Sequence, residues 1–575
     1  MKRFGLLLAF TLIPAILGGQ QPPAPESRPP NSDAVDEGIS VTSDLVKQKC
    51  ASCHRPDDKG RMTRISDRRT TPEGWEETIK RMVSLNNVKL QPAEARDIVR
   101  YLADRHGLAP EEAKPAAFEV ERAIVEYKYK ADKDTESTCS SCHSMGRVIS
   151  QRRTKEEWEL LIAMHRGYYP LSDFQAFRRL GPPPRDQAPT PDGRPPDNRH
   201  PMEKALAHLS TAFPLTTPEW SAWSATMRPP RLQGKWAVSG RQLGKGPVFG
   251  QVVISAAGSP DSSEFTTETT LTYSRTGETV KRTGRAIVYT GYQWRGKSDQ
   301  AAAAATSHNG SWREVMFVDR DWRHASGRWF TGAYDEFGID VDLERIGADP
   351  SVLGVANPMI KIGGPAQDIR IYGANLRTSV DPADLNFGPN VTVGRVVSAT
   401  PELLTVSVTA ASGATVGRRD VILAGAAGNA TVAVYNTIDY VKVMPEAGLA
   451  RVGGANFPKQ FQQFEAVAFA NGPDGKPNTK DDVELGQIDA TWSIEEYTAT
   501  YDDDDKDFVG TIDASTGLFT PNLDGPNPKR RHNTNNYGDV WVVATYQQPK
   551  PIKGRAYLLV TVPLYIKWDQ AEVSR

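Results

Sequence analysis

The motif C-x-x-C-H occurs twice in the first quarter of this 575-residue chain, and the two copies use all four of its cysteines. They are Cys50, Cys53 and His54, followed by Cys139, Cys142 and His143. This spacing is typical of covalent c-type haem attachment, in which two thiols add to the haem vinyl groups and the histidine binds the iron.

Other uses of paired cysteines fit this pattern less well. Two disulfides would not require a histidine after each second cysteine, and a thioredoxin-like motif would be expected once. A zinc site would need two cysteine pairs close together in sequence, whereas Cys53 and Cys139 lie far apart. The sequence therefore predicts two covalently bound haem c groups, with His54 and His143 as iron ligands.

An internal repeat follows the two motifs and proposes a second ligand for each iron. Aligning Trp75 with Trp158 places Met82 opposite His165. Each stretch has helical periodicity, with the tryptophan, an isoleucine and the candidate ligand on one face. Thioether and imidazole are the usual sixth ligands of this haem class. We therefore predict Met82 as the second ligand of the first iron and His165 as that of the second.

Other side chains compete for these roles. Met62 and His106 are alternatives at the first iron, and Met164, His200 and His208 are alternatives at the second. A methionine on an apolar helix face usually belongs to a core, and His106 and His208 are expected to be packing or surface residues. If both irons have two protein ligands, neither is open to oxygen or peroxide, which favours electron transfer over haem catalysis.

The two helices that carry these ligands have recognisable start signals. Thr154 with Glu157 three residues later forms a capping box, and Thr70 with Glu73 is predicted to start the first helix in the same way. Pro72 suits the first turn of that helix.

Hydrophobic periodicity predicts a multidomain chain, with an N-terminal all-α dihaem cytochrome c domain followed by three all-β domains. The two haem units cover 38–114 and 115–222. Strand-like alternation then predicts an antiparallel β-barrel or sandwich over 223–345 and immunoglobulin-like domains over 346–437 and 438–575.

The N-terminus has the pattern of a secretory signal peptide, predicted over residues 1–22: Lys2 and Arg3, then a short apolar run and small residues. An uncleaved anchor is the alternative, but no other segment is apolar enough to span a membrane. The mature chain is therefore expected to be periplasmic, without a membrane span. A formal net charge of −1 gives no indication of nucleic-acid binding.

Two further segments have open roles. The Pro-rich segment 178–201 is predicted to be an exposed loop or a partner contact. The segment 471–482 clusters acidic and amide side chains, for which a polar hairpin loop is favoured over a calcium site. The sequence contains no G-x-S-x-G, P-loop or G-x-G-x-x-G motif, and we predict no catalytic residue on this chain.

The two C-x-x-C-H units, the helix WELLIAMH after the second, and three β-domains together resemble the α subunit of quinohemoprotein amine dehydrogenase. The resemblance is most specific between Cys50 and Arg178 and in TTPEWSAW at 216–223. It implies a heterotrimer with a β-propeller subunit and a small γ subunit that carries cysteine tryptophylquinone. Because all four cysteines here are assigned to haem, that quinone is expected on the partner.

The family oxidises primary amines to aldehydes in the periplasm and passes electrons to an external copper protein or cytochrome c. This chain would then be the electron-transfer subunit of an oxidoreductase acting on CH–NH2 donors. The family pairs one His/Met haem with one bis-His haem, which maps onto His54 with Met82 and onto His143 with His165. The alternatives are a dihaem peroxidase, or a dihaem electron carrier whose β-domains bind a polymer.

Overall fold

The computed structural model describes residues 37–117, 129–140, 143–169, 172, 199–259, 262–300, 310–331, 337–428, 430–454, 457–497, 504–532 and 534–563. The predicted signal peptide, Cys142 and nearly all of the Pro-rich segment lie outside these residues. Residues from Gly38 onward form one compact unit. None of the described helices is long and apolar enough to cross a membrane.

Short helices make up most of the N-terminal region. They are α1 (Asp44–Cys50), α2 (Pro72–Asn86), α3 (Pro92–Arg105), α4 (Pro110–Ala113), α5 (Lys133–Cys139), α6 (Gly146–Ile149), α7 (Lys155–Tyr168), α8 (Pro201–Ala212) and α9 (Pro218–Thr226). A 3-10 turn, Lys114–Ala116, follows α4.

A small antiparallel sheet joins the two haem units. Its strands are β1 (Arg68–Thr70) and β2 (Gln151–Arg153), and their register places Arg68 opposite Arg153. The prediction of an all-α domain is therefore incomplete. These strands could not be predicted, because three residues are too few to show the apolar alternation of a strand and because the pairing joins segments that are far apart in sequence.

The helix that follows β1 begins one residue later than predicted. The N-cap of α2 is Thr71, whose side chain accepts from the backbone N–H of Gly74 at 3.3 Å. Thr70 is instead the last residue of β1, and its hydroxyl donates to the carbonyl of Ser150. The prediction of Thr70 as the cap is wrong because strand pairing holds that residue. Thr154 caps α7 by accepting from the backbone N–H of Glu157, but the predicted capping box is incomplete, because the Thr154 N–H donates to the carbonyl of Asp67 and the Glu157 carboxylate is bound by arginines.

Each repeat is closed by a buried tryptophan that bonds to the end of a later helix. Trp75 Nε1 donates to the carbonyl of His106 at 2.9 Å, and Trp158 Nε1 donates to that of Phe213 at 3.0 Å. His106 and Phe213 are the C-cap residues of α3 and α8. The internal repeat therefore extends beyond the aligned helices to the helices that close each unit.

Eight strands after α9 close into an antiparallel barrel in which sequence neighbours pair and the last strand meets the first. They are β3 (Gly234–Gln242), β4 (Gly246–Ala256), β5 (Glu264–Tyr273), β6 (Thr279–Tyr289), β7 (Gln293–Gln300), β8 (Ser311–Val318), β9 (His324–Phe330) and β10 (Ile339–Arg345). Alternate residues, including Trp236, Phe265 and Trp294, fill the interior.

The barrel completes the core of the first haem unit. Ile287 and Tyr289, at the end of β6, belong to the same buried cluster as Trp75. At Gly107 a Cβ atom would lie 2.1 Å from the carbonyl oxygen of Ala103 in α3 and 2.9 Å from the hydroxyl of Thr290 in the barrel region, so only glycine allows this close approach. The haem region therefore rests on the barrel as part of one core.

Two four-stranded sheets enclose the core of the next domain. The strands are β11 (Ser351–Val355), β12 (Met359–Lys361), β13 (Gln367–Ala374), β14 (Leu385–Asn386), β15 (Val391–Ala399), β16 (Leu403–Ala410), β17 (Gly417–Leu423) and β18 (Ala430–Tyr435). The sheet orders are β11-β13-β16-β15 and β12-β18-β17-β14.

The last domain contains three small sheets, with orders β19-β22-β23, β20-β28-β27-β24 and β21-β26-β25. Its strands are β19 (Tyr440–Met444), β20 (Ala447–Arg451), β21 (Gln462–Gln463), β22 (Glu465–Ala470), β23 (Val483–Ile488), β24 (Thr491–Glu496), β25 (Gly510–Ile512), β26 (Leu518–Pro521), β27 (Gly538–Tyr546) and β28 (Ile552–Thr561). All three C-terminal domains are β-rich, and the immunoglobulin-like assignment of the last two stays a prediction.

A buried ion pair lies on one face of the β1–β2 sheet. Arg69 is fully buried, and its two terminal nitrogens donate to the two carboxylate oxygens of Glu112 at 2.7 and 2.9 Å. Arg152 reaches the same carboxylate at 3.0 Å. Burial alone would raise the pKa of Glu112, but the hydrogen bonds and charge of Arg69 outweigh it, and the pKa lies below its usual value. This carboxylate is therefore charged when folded.

Replacing Arg69 by methionine should destabilise the chain strongly. The substitution leaves Glu112 buried with part of its compensating charge removed, which typically costs about 3–5 kcal/mol. Equilibrium unfolding by urea measures the loss. Arg61→Met is the matched control, because the Arg61–Asp57 pair is partly exposed and should contribute far less to stability. Equal losses in the two variants would contradict the assignment.

Candidate haem-binding sites

The first C-x-x-C-H motif lies at the end of α1, whose last residue is Cys50. The backbone N–H of His54 donates to the carbonyl of Cys50 at 2.9 Å, so the motif forms one tight turn. His54 Nδ1 lies 2.9 Å from the carbonyl oxygen of Thr63. Because a carbonyl oxygen can only accept, Nδ1 carries the hydrogen and the lone pair of Nε2 is left for a metal.

The second motif has the same local architecture. Cys139 is the last residue of α5, whose N-cap Asp132 accepts from the backbone N–H of Thr135 at 2.6 Å. His143 Nδ1 lies 2.9 Å from the carbonyl oxygen of Ser144, which again leaves Nε2 for a metal. Burial lowers the pKa of His143, and the neutral ring is the form that binds metals.

Cys50 and Cys139 have the surroundings of neutral sulfur. Burial raises the pKa of Cys50, and it raises that of Cys139 to about 12. A thiolate metal ligand needs the opposite shift, whereas a thioether carries no charge. No disulfide joins Cys50, Cys53 and Cys139, the three cysteines that the structure describes.

The structure brings His143 and His165 together. Their ring centroids are 6.4 Å apart, with planes inclined by 50°. Nδ1 of His165 bonds to the carbonyl of Leu161 at 2.8 Å, so its Nε2 is also left for a metal. Imidazole–metal bonds of about 2.0–2.1 Å, as in zinc sites, would put two rings on opposite sides of one ion with centroids about 6 Å apart. The pair therefore fits a single six-coordinate iron.

Met82 lies one turn before the end of α2 and is half-buried. The helix ends at Asn87, which adopts a left-handed conformation with φ 57°. A cavity of about 490 Å³ lies beside this end; Lys49, next to Cys50, and Val83, next to Met82, both line it. Cys50 and Met82 are therefore each one residue from the same cavity, which is in the size range of ligand sites.

The rivals of Met82 are engaged in the core. Met62 is fully buried in the core of the first unit, and its backbone N–H donates to Ser66 Oγ at 2.8 Å. His106 is fully buried between Trp75 and Tyr101, at ring-centroid distances of 6.1 and 6.3 Å. His106 occupies the position that Phe213 has in the second unit. An apolar residue at the equivalent position is typical of a packing role.

The rivals of His165 also have protein contacts. The sulfur of Met164 accepts from Arg64 Nη2 at 3.2 Å. His200 is the N-cap of α8, and its side chain accepts from the backbone N–H of Met202. His208 Nε2 lies 2.5 Å from the hydroxyl of Tyr129. Each of these contacts gives the side chain a structural role.

Sequence reasoning missed the arginine residues that connect the two units. Arg64 follows Thr63, the residue that holds His54, and its guanidinium bonds to Glu157 on α7 at 2.8–3.0 Å. Glu157 also accepts from Arg153 at 3.0 Å. The sequence signal that could have predicted these ion pairs is the doubled arginine before each aligned helix, Arg68-Arg69 and Arg152-Arg153. Arginines in a buried repeat need carboxylate partners.

Three carboxylates of the acidic loop 471–482 come together. Carboxylate oxygens of Asp474, Asp481 and Asp482 all lie within 4.8 Å of one another. Asp481 and Asp482 accept hydrogen bonds from Asp474 N and Thr479 N of the same loop. These contacts account for the cluster as a hairpin loop.

His106→Phe tests its role as a packing residue through pH. Burial lowers the pKa of His106 to about 3, whereas the unfolded side chain titrates near 6.5. The wild type therefore loses stability as pH falls from 6.5 towards 3, and the variant lacks this loss. Urea unfolding at pH 7.5 and pH 5 should show about 2 kcal/mol less acid destabilisation in the variant. Equal pH dependence would contradict it.

Four family models match the chain, and each describes a part of one protein. The haem-binding domain of the quinohemoprotein amine dehydrogenase α subunit matches residues 40–181. Domains II, III and IV of the same subunit match 229–346, 349–436 and 441–573. A search among curated proteins finds no match.

Solved structures match only parts of the chain. A designed fluorescence-activating β-barrel is 18% identical over 20% of this chain and 94% of its own, with a TM-score of 0.16. A Bacteroides ovatus protein, SGBP-B of a mixed-linkage glucan utilization locus, is 13% identical over 49% of this chain and 64% of its own, with a TM-score of 0.18. Scores this low carry no argument about fold or function.

Proposed function

Because this chain belongs to the quinohemoprotein amine dehydrogenase α-subunit family, we propose that it is the dihaem electron-transfer subunit of a periplasmic amine dehydrogenase. It takes electrons from cysteine tryptophylquinone in a partner subunit, where primary amines are oxidised to aldehydes. It passes them to an external copper protein or cytochrome c. The chain is thus part of an enzyme and carries no residue that reacts with the amine.

The facing pair His143 and His165 is the observation that best supports this function. The two imidazoles have ring centroids 6.4 Å apart, and the hydrogen bonds at Nδ1 leave both Nε2 atoms for a metal, so the pair would hold one haem iron between its rings. When bound, haem supplies one-electron oxidation and reduction. An iron held by both rings would have no open position for peroxide, so the pair favours electron transfer over a dihaem peroxidase.

The residues present fit two haem groups. Cys50 and Cys53 would attach the first haem, with His54 and Met82 on its iron. The second haem would be attached by Cys139 and Cys142, with His143 and His165 on its iron. Thr63, Ser144 and Leu161 accept from the Nδ1 atoms of the three histidines and orient their rings.

The partner subunits are proposed from the family. A β-propeller subunit and a small γ subunit would complete a heterotrimer, and the quinone would lie on the γ subunit because this chain uses its four cysteines for haem. The β-domains are joined to one another by buried contacts, such as Phe249 stacked on Tyr372 at 4.4 Å. Such a joined surface suits a platform for other subunits.

Substitution of the axial ligands should open one iron at a time. His165→Ala should convert the second haem from low-spin to high-spin in the ferric protein, because one imidazole is lost. Met82→Ala should remove the near-infrared band of a methionine-ligated haem and spare the second haem. Electron paramagnetic resonance and magnetic circular dichroism measure both changes. His208→Ala is the control; a spin change there, with none in His165→Ala, would overturn the assignment.

The function itself is tested on the complex purified from its native host. Addition of a primary amine should reduce the haems, seen as the sharpened absorbance bands of ferrous cytochrome c, while a tertiary amine should not. Mass spectrometry should find a small co-purifying chain with a Cys–Trp cross-link. A chain that purifies alone, stays oxidised with amine and turns over peroxide would establish the dihaem peroxidase instead.

A further inference from the structure

A group of four cations, two of them buried and two partly exposed, lies between the two haem units. We call it the arginine cluster, and it consists of Arg64, Arg68, Arg81 and Arg153 around the carboxylate of Glu157. Arg68 and Arg153 face each other across the β1–β2 sheet. Arg81 is on α2, and Arg64 is in the loop that holds His54. These four guanidiniums and Glu157 act on one another electrostatically.

The carboxylate of Glu157 is used by only two of the four arginines. Arg64 donates to it from Nε and Nη2, and Arg153 donates from Nη1 at 3.0 Å. Arg68 and Arg81 share a neutral acceptor, the hydroxyl of Thr78, at 2.6 and 3.4 Å. Within the described part of the chain, Nε of Arg68 and Nε of Arg81 are buried without a hydrogen-bond partner.

This surplus of buried positive charge calls for an anion. Arg68 is 7% exposed, and desolvation together with Arg153 and Arg81 holds its pKa well below the usual value. A buried cation without a counter-charge is strongly destabilising. Guanidinium nitrogens with open donors are the preferred partners of carboxylates and other oxyanions.

The opposite face of the same small sheet provides an internal comparison. Arg69 and Arg152 alternate with the cluster residues along β1 and β2 and point the other way. Both bond to Glu112, whose carboxylate also accepts from the hydroxyl of Thr217. Each arginine on this face of the sheet therefore has a carboxylate partner. The arginines that lack a hydrogen-bonded carboxylate, Arg68 and Arg81, therefore belong to the cluster and not to the Glu112 face.

Two members of the cluster adjoin residues next to the proposed ligands of both haem groups. Arg81 directly precedes Met82 on α2. Arg64 follows Thr63, whose carbonyl accepts from His54, and its Nη2 donates to Met164, the neighbour of His165. The nearest source of anions at such a place is haem itself, since each haem carries two propionate carboxylates.

We propose that the arginine cluster binds haem propionate carboxylates, with Arg68 and Arg81 donating from the side chains that lack a charged partner. This inference rests on the proposed dihaem function. It adds a carboxylate-binding site to the axial ligands and the thioether bonds. By placing cations beside the haem edge, the cluster also favours the reduced state of the iron.

Infrared spectroscopy of the full-length holoprotein tests the contact directly. Haem carboxylates are labelled with carbon-13 by growth on labelled 5-aminolevulinate, and redox-difference spectra are compared between wild type and Arg68→Met. We expect the labelled carboxylate bands to shift in the variant and the midpoint potential of at least one haem to fall. Arg68→Lys should restore part of the potential, because it restores the charge.

Arg61→Met is the matched control, since Arg61 pairs with Asp57 in the same loop and should leave the labelled bands unchanged. Arg81→Met repeats the test if Arg68→Met does not fold. Unshifted labelled bands in both cluster variants, each with two haems by pyridine haemochrome assay, would overturn the proposal. A second result would also overturn the proposal: the labelled bands stay unshifted, and inorganic phosphate raises the thermal unfolding midpoint of wild type but not that of Arg68→Met. The cluster would then bind a free oxyanion and not a haem propionate.

The haem assay on wild type distinguishes a failure of the proposed function from a failure of the propionate site. A chain without covalent haem would overturn the proposed function before any variant is made. Two haems with unshifted labelled bands would overturn only the propionate site.

Discussion

The pairing of β1 with β2 is the contact on which the arrangement of both haem units depends. Each strand has only three residues, yet α2 begins two residues after β1 and α7 begins two residues after β2. The register of the pair therefore sets the relative position of the helices that carry Met82 and His165. The tryptophan at the start of each helix then bonds to the end of a later helix, which closes each unit around its own core.

Buried charge is the second constraint, and it follows from the first. Four arginines in two short strands cannot all leave a protein interior, so each face of the sheet must provide acceptors. Glu112 satisfies one face, whereas on the other face Glu157 bonds to Arg153 and Arg68 is left with the neutral hydroxyl of Thr78. A redox protein has a use for such a surplus, because a nearby cation stabilises an iron that has gained an electron. The same residues thus link folding to the proposed electron transfer.

The β-domains are part of the same physical unit as the haem region. Ile287 and Tyr289 of the barrel fill the core around Trp75, and Glu73 of α2 pairs with Arg295 of the barrel. Burial raises the pKa of Glu73, but Arg295 outweighs this effect and the pKa lies below its usual value. A first haem unit without the barrel would expose apolar surface and leave a buried carboxylate unpaired. This dependence accounts for an electron carrier that is built on a large β-rich platform.

The sequence alone determined the features that depend on short stretches of chain. The spacing of Cys50, Cys53 and His54, the Thr154 cap and the helical repeat that pairs Met82 with His165 are local, because thioether attachment, capping and helix periodicity span only a few residues. Only the tertiary structure decided which other segments meet: that β1 pairs with β2, that Thr70 is therefore a strand residue, and that Arg64 reaches Glu157. Buried ion pairs and strand registers join residues far apart in sequence, and their partners are chosen by the packing of the whole chain, which no short pattern records.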